Sequence, residues 1–158
     1  MAVSPRRVMP LSPGVVLGIG LGGFVDGIVL HQILQWHHML TSAGYPATTV
    51  ANLELNTLFD GFFHALTWIA VAIGLALVHR AVRASTPWSG PRFLGGLAIG
   101  WGSFNLVEGV IDHHVLGLHH VKESAANPFL WDLGFLVFGA LLVIVGTLLA
   151  RRGAARTS

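Results

Sequence analysis

Four long apolar runs constrain this chain more than any other feature: Pro13 to about Met39, Leu55 to Val78, Phe93 to about Leu118, and Phe129 to Ala150. Each meets the need for roughly 20 residues to carry a helix across a hydrocarbon layer about 30 Å thick. In lipid only helices and closed barrels pair all their backbone polar groups, and runs of this length select helices. Composition agrees, since only 10% of the residues are charged, against about 25% in soluble domains. The expected fold is all-α: an integral membrane four-helix bundle, one domain over residues 1–158. Pro13, Pro91 and Pro128 fall at or just before helix starts, where the missing N–H costs little.

Charge placement predicts orientation. Arg6 and Arg7 precede the first run, Arg80, Arg83 and Arg92 lie between the second and third, and Arg151, Arg152 and Arg156 follow the fourth. Only Lys122 falls elsewhere. With four spans, both termini and the 81–92 loop share a side, which the positive-inside rule assigns to the cytoplasm. No element carries a basic stripe, so nucleic acid is not an expected partner; the lipid bilayer is, with a homo-oligomer or a respiratory-chain protein as further candidates. Arg6 and Arg7 ahead of an apolar stretch imitate a signal peptide, but the run is too long for one and has a counterpart later in the chain.

That counterpart is an internal repeat. A shift of 82 positions lays Gly14, Gly18, Gly27, His31, His37 and His38 on Gly96, Gly100, Gly109, His113, His119 and His120, with Asp26 on Glu108. The following helices match through LFDGFF and LWDLGF, which pairs Asp60 with Asp132. Two tandem hairpins of like orientation imply a pseudo-two-fold axis along the membrane normal. The glycine stripes of spans one and three predict that these two cross closely at the centre.

Asp26, His31, Asp60, His64, Glu108, Asp112, His113 and Asp132 should form one layer, roughly 20–30 Å from the cytoplasmic ends at the helical rise per residue. Ionisable groups at such depth are costly and usually functional. With His37 and His119 above them, they make up the candidate metal ligands: Asp26, His31, His37, Asp60, His64, Glu108, Asp112, His113, His119 and Asp132. Carboxylates from every helix plus imidazoles are the ingredients of a mono- or dinuclear transition-metal centre, with iron, copper, zinc or manganese suited to the donors. In straight α-helices, however, Asp26 aligns with His37 and His31 with His38, on stripes roughly 120–140° apart. His64 and Asp112 break the symmetry, facing Leu136 and Leu30 in the alignment, and are expected to mark the functional side.

Such a centre suits an oxidoreductase, or metal handling for a respiratory oxidase. Three alternatives account for the same residues: a haem b protein with His31 and His113 as axial ligands, a proton or ion translocator using the acidic layer, and a structural hydrogen-bonded network. The strings GFVDGIVLHQILQWHHML, LFDGFFHALTW, NLVEGVIDHHVLGLHH and WDLGF resemble a family of bacterial four-span membrane proteins described as a domain of unknown function. The resemblance covers about residues 14–150 and implies the fold and a bacterial cell-membrane location, without an activity.

Overall fold

Proline opens three of the four helices: Pro13 and Pro91 stand within the first two positions of theirs, and Pro128 begins the last. The remaining helix starts with a side-chain cap, Thr49 Oγ1 accepting the Asn52 N–H at 3.2 Å. The computed structural model describes residues 8–155; Arg6, Arg7 and Arg156 of the charge asymmetry lie outside them. The helices are α1 (Ser12–Phe24), α2 (Val50–Arg83), α3 (Gly90–Glu108) and α4 (Pro128–Ala155). All four are long and apolar enough to cross a membrane, counting the extensions of α1 and α3 described next. The chain is an all-helical four-span membrane bundle.

Both α1 and α3 change helix type near their C-terminal ends. From Val25 to Ile33, and again from Gly109 to Val115, the backbone is π-helical, with hydrogen bonds reaching five residues back. The last of these are Leu34 N–H to Val29 O and Leu116 N–H to Ile111 O, both 2.8 Å. Each segment then ends on a left-handed residue, Gln35 (φ 49°) and Gly117 (φ 59°), at repeat-related positions. The helices therefore stop at Ile33 and Val115, short of the expected boundaries near 39 and 118, and His37, His38, His119 and His120 sit in the turns beyond.

Packing follows the glycines. Any Cβ on Gly18 would collide with the Leu97 carbonyl, and any Cβ on Gly100 with the Val15 carbonyl. Residues 15 and 97 are themselves related by the 82-residue repeat, so the α1–α3 crossing is reciprocal. In lipid this close backbone approach supplies the contact that apolar burial cannot. Each central helix carries one flanking partner, α2 on α1 and α4 on α3. Among the described residues the backbones of α2 and α3 stand apart, as do those of α4 and α1, with Phe63 and Phe104 meeting across the first seam at 6.0 Å between ring centroids, so a groove runs down each of those seams.

Candidate metal centre

Spacing within the π-helical turns decides which groups meet. Asp26 and His31 are five residues apart, as are Glu108 and His113. In an α-helix that offset turns side chains about 140° apart. The wider π turn brings them together: His31 Nε2 lies 3.1 Å from Asp26 Oδ2, and His113 Nε2 lies 3.0 Å from Glu108 Oε1. The divergent stripes expected from straight helices are thereby corrected, because the helix is not α there and the outer histidines are not on it.

The turns beyond the helices supply the rest. His37 donates from Nδ1 to the Val121 carbonyl at 2.8 Å, and His119 from Nδ1 to the Met39 carbonyl at 3.2 Å. A carbonyl only accepts, so both rings carry a proton on Nδ1, and Nε2 of each faces the interior. The two rings stack, 4.5 Å between centroids and 2° from parallel. His31 packs against His37 at 4.3 Å and His113 against His119 at 4.9 Å. His31, His37 and His119 place one nitrogen each within 4.8 Å of one another, as do the donor atoms of Glu108, His113 and His119. All five of these residues are buried.

The aspartates of α2 and α4 stand behind the rings. Asp60 accepts from His31 Nδ1 at 2.8 Å, His38 Nδ1 at 2.7 Å, Gln32 Nε2 at 3.1 Å and the Met39 N–H at 3.0 Å. Asp132 accepts from His120 Nδ1 at 2.6 Å and the Val121 N–H at 2.9 Å, while His113 Nδ1 stands off at 3.6 Å. A carboxylate on the far nitrogen of an imidazole fixes its tautomer and raises its basicity, as behind metal-bound histidines. Of the candidate ligands, Asp60 and Asp132 have their oxygens turned to these donors and stand outside the two convergent groups. The second histidine of each pair, His38 or His120, donates to the aspartate, a contact that sequence spacing alone does not reveal.

His64 and Asp112 are also placed elsewhere. The His64 ring abuts Gly27, its Nε2 buried without a hydrogen-bond partner. Leu136 takes the matching place against Gly109. Asp112 lines a crevice beside Glu108.

The geometry sets inward imidazole nitrogens against carboxylate oxygens. With Nδ1 committed in His31, His37 and His119, Nε2 of His31 confronts Asp26, and Nε2 of His119 lies 3.1 Å from Glu108 Oε1. Nε2 of His37 is buried with no hydrogen-bond partner, as is Oε2 of Glu108. His37 stays neutral: burial, with His119 alongside, pushes its pKa down to about 3. Such a set can hold a cation. It does not suit haem, because the stacked His37 and His119 rings fill the space between His31 and His113 that a porphyrin would need.

The chain belongs to the family described as predicted membrane protein DUF2243, whose match runs over residues 13–153. No curated protein and no solved structure matches it.

Proposed function

We propose that this family member is a membrane metalloprotein whose two pseudo-symmetric half-sites, Asp26–His31–His37 and Glu108–His113–His119, hold one or two transition-metal ions. One observation carries the reading: His37 Nε2 is a buried lone pair without a donor, beside nitrogens of His31 and His119. An unsatisfied buried acceptor costs about 1–3 kcal/mol, which a coordinated metal would offset. Imidazole and carboxylate donors without thiolate suit iron, zinc, manganese or Cu(II). Asp60 and Asp132 act as positioning residues, and His64 and Asp112 lie outside the ligand set. The test is metal analysis with optical and paramagnetic spectra of the purified protein. Stoichiometric non-haem metal is expected, and metal-free protein that takes up none on reconstitution would refute it.

A protonated network is the second reading, favoured by His31 lying between Asp26 and Asp60 at 3.1 and 2.8 Å. It gives His37 Nε2 no partner, which is why the metal reading ranks first. The redox-active metals in this set fit an oxidoreductase, and the site's position in the outer turns fits metal delivery to a respiratory oxidase.

The orientation follows from the arginines flanking α2, α3 and α4: termini and the 81–92 loop in the cytoplasm, the centre toward the periplasm or exterior of a bacterial cell membrane. Reporter fusions after Arg83 and near Ala125 should report opposite sides, and matching signals would reverse this assignment.

A further inference from the structure

The repeat makes two seams, α2 against α3 and α4 against α1, and the crevices in them are related position by position. Ile19, Phe63, Phe104, Val107 and Asp112 line the first; Trp101, Phe135, Gly22, Val25 and Leu30 stand at the matching places in the second. Sequence differences make them unequal. Ile19 leaves room where Trp101 intrudes, and the volumes are about 330 and about 150 Å³. The larger falls within the ~300–1,000 Å³ range of small-molecule sites.

The larger crevice opens on the lipid-facing side of membrane-spanning segments, where Val107 and Ile111 are 58% and 43% exposed. Whatever enters it comes from the bilayer. Glu108 lines it, only 8% exposed, its Oε1 turned to His113 and His119 and its Oε2 buried without a partner, so a ligand reaches that oxygen as the carboxylate turns toward the crevice. Asp112 lies on the same wall, its carboxylate without a hydrogen bond among the described residues, while its backbone carbonyl accepts from Leu118 N–H. An apolar wall ending in unpaired carboxylate oxygens fits an apolar body that brings a donor.

We propose that the α2–α3 crevice binds a bilayer-dissolved hydroxyl compound, an aliphatic alcohol or a phenol, with its O–H donated to Glu108 Oε2. This deepens the metal-centre reading by naming a substrate class, since one carboxylate then touches both the ligand and the metal-binding histidines. The binding itself needs no metal.

The experiment uses full-length protein in lipid nanodiscs, both metal-loaded and chelator-stripped, with a long-chain alcohol carrying a photoreactive diazirine on its tail. Crosslinks should map to Ile19, Phe63, Val107 and Ile111. The methyl ether of the same probe should bind about tenfold more weakly, the loss of one charge-assisted hydrogen bond. Val107→Trp, and independently Ser103→Phe, should abolish labelling while Val25→Trp in the smaller crevice leaves it intact. Displacement by decanol identifies aliphatic alcohols as the class, displacement by an alkyl hydroquinone identifies phenols, and displacement by neither overturns the proposal. Equal labelling by alcohol and ether, or labelling that survives both blocking variants, also overturns it. Metal content is read on the same samples. Metal without labelling removes the lateral site alone, and labelling without metal removes the metal reading alone.

Discussion

His37 and His119 lie face to face across the pseudo-two-fold axis, each ring hydrogen-bonded to a backbone carbonyl of the opposite repeat, Val121 and Met39. Neither half builds its site alone, because the proton that fixes each tautomer is accepted by the other half.

Substitution by asparagine separates the two nitrogens of these rings. In His37→Asn the amide can still donate to the Val121 carbonyl, while the inward lone pair is lost. Metal content should fall by one equivalent if each half holds an ion, and to near zero if one ion is shared. His119→Asn should behave alike. Elemental analysis decides, and unchanged content in both variants would remove these rings from the ligand set.

Asp60→Asn tests a positioning residue. It leaves the inward nitrogen of His31, Nε2, in place but replaces one acceptor oxygen by a donor, so His31 or His38 loses its partner. Metal affinity should drop by about 10–100-fold without loss of stoichiometry at saturation. Chelator competition measures the first and a saturating titration the second. Lost stoichiometry would make Asp60 a ligand after all.

The four spans, the repeat and the close α1–α3 crossing were legible because they depend on run length, composition and glycine spacing. The facing of the polar groups was not, because that reading took α-helical periodicity through Asp26 and His31. One clue was present: the acid-x4-His spacing occurs in both halves, and such a pair meets on a π turn. The hydrogen-bond partners of Asp60 and Asp132 escaped for another reason. Depth alone cannot tell an aspartate that faces a centre from one that faces the back of its histidines.

Gln35 takes the left-handed conformation where the other repeat has Gly117. A side chain there costs about 1–2 kcal/mol, and glycine loses about 0.5–1 kcal/mol to chain entropy. Gln35→Gly should therefore stabilise by roughly 0.5–1 kcal/mol. Thermal unfolding in detergent should show a higher midpoint, whereas Gly117→Gln should lower it.

The depressed pKa of His37 gives stability a pH dependence of fixed sign. Unfolded, the ring takes up a proton near pH 6.5; folded, it does so only near about 3. Between those values the unfolded chain binds more protons, so stability falls as pH falls through that window and is fully present above it. Unfolding midpoints of metal-free protein between pH 7.5 and 4 should show this decline, by roughly one proton's worth more than in His37→Asn. Equal slopes would mean His37 titrates normally.

The reciprocity of the two halves bears on ancestry. Gly18 on the Leu97 carbonyl is repeated by Gly100 on the Val15 carbonyl, and His37 on Val121 by His119 on Met39. Contacts in which position i meets j and j meets i are those of an isologous dimer. A single hairpin, paired with its own copy, would form every one of them without a linker. The tandem chain has the geometry of such a dimer joined head to tail, with halves free to differ in sequence. Trp101 opposite Ile19 and Asp112 opposite Leu30 mark where the halves differ: one seam is narrow, and the other is wider and carries a carboxylate.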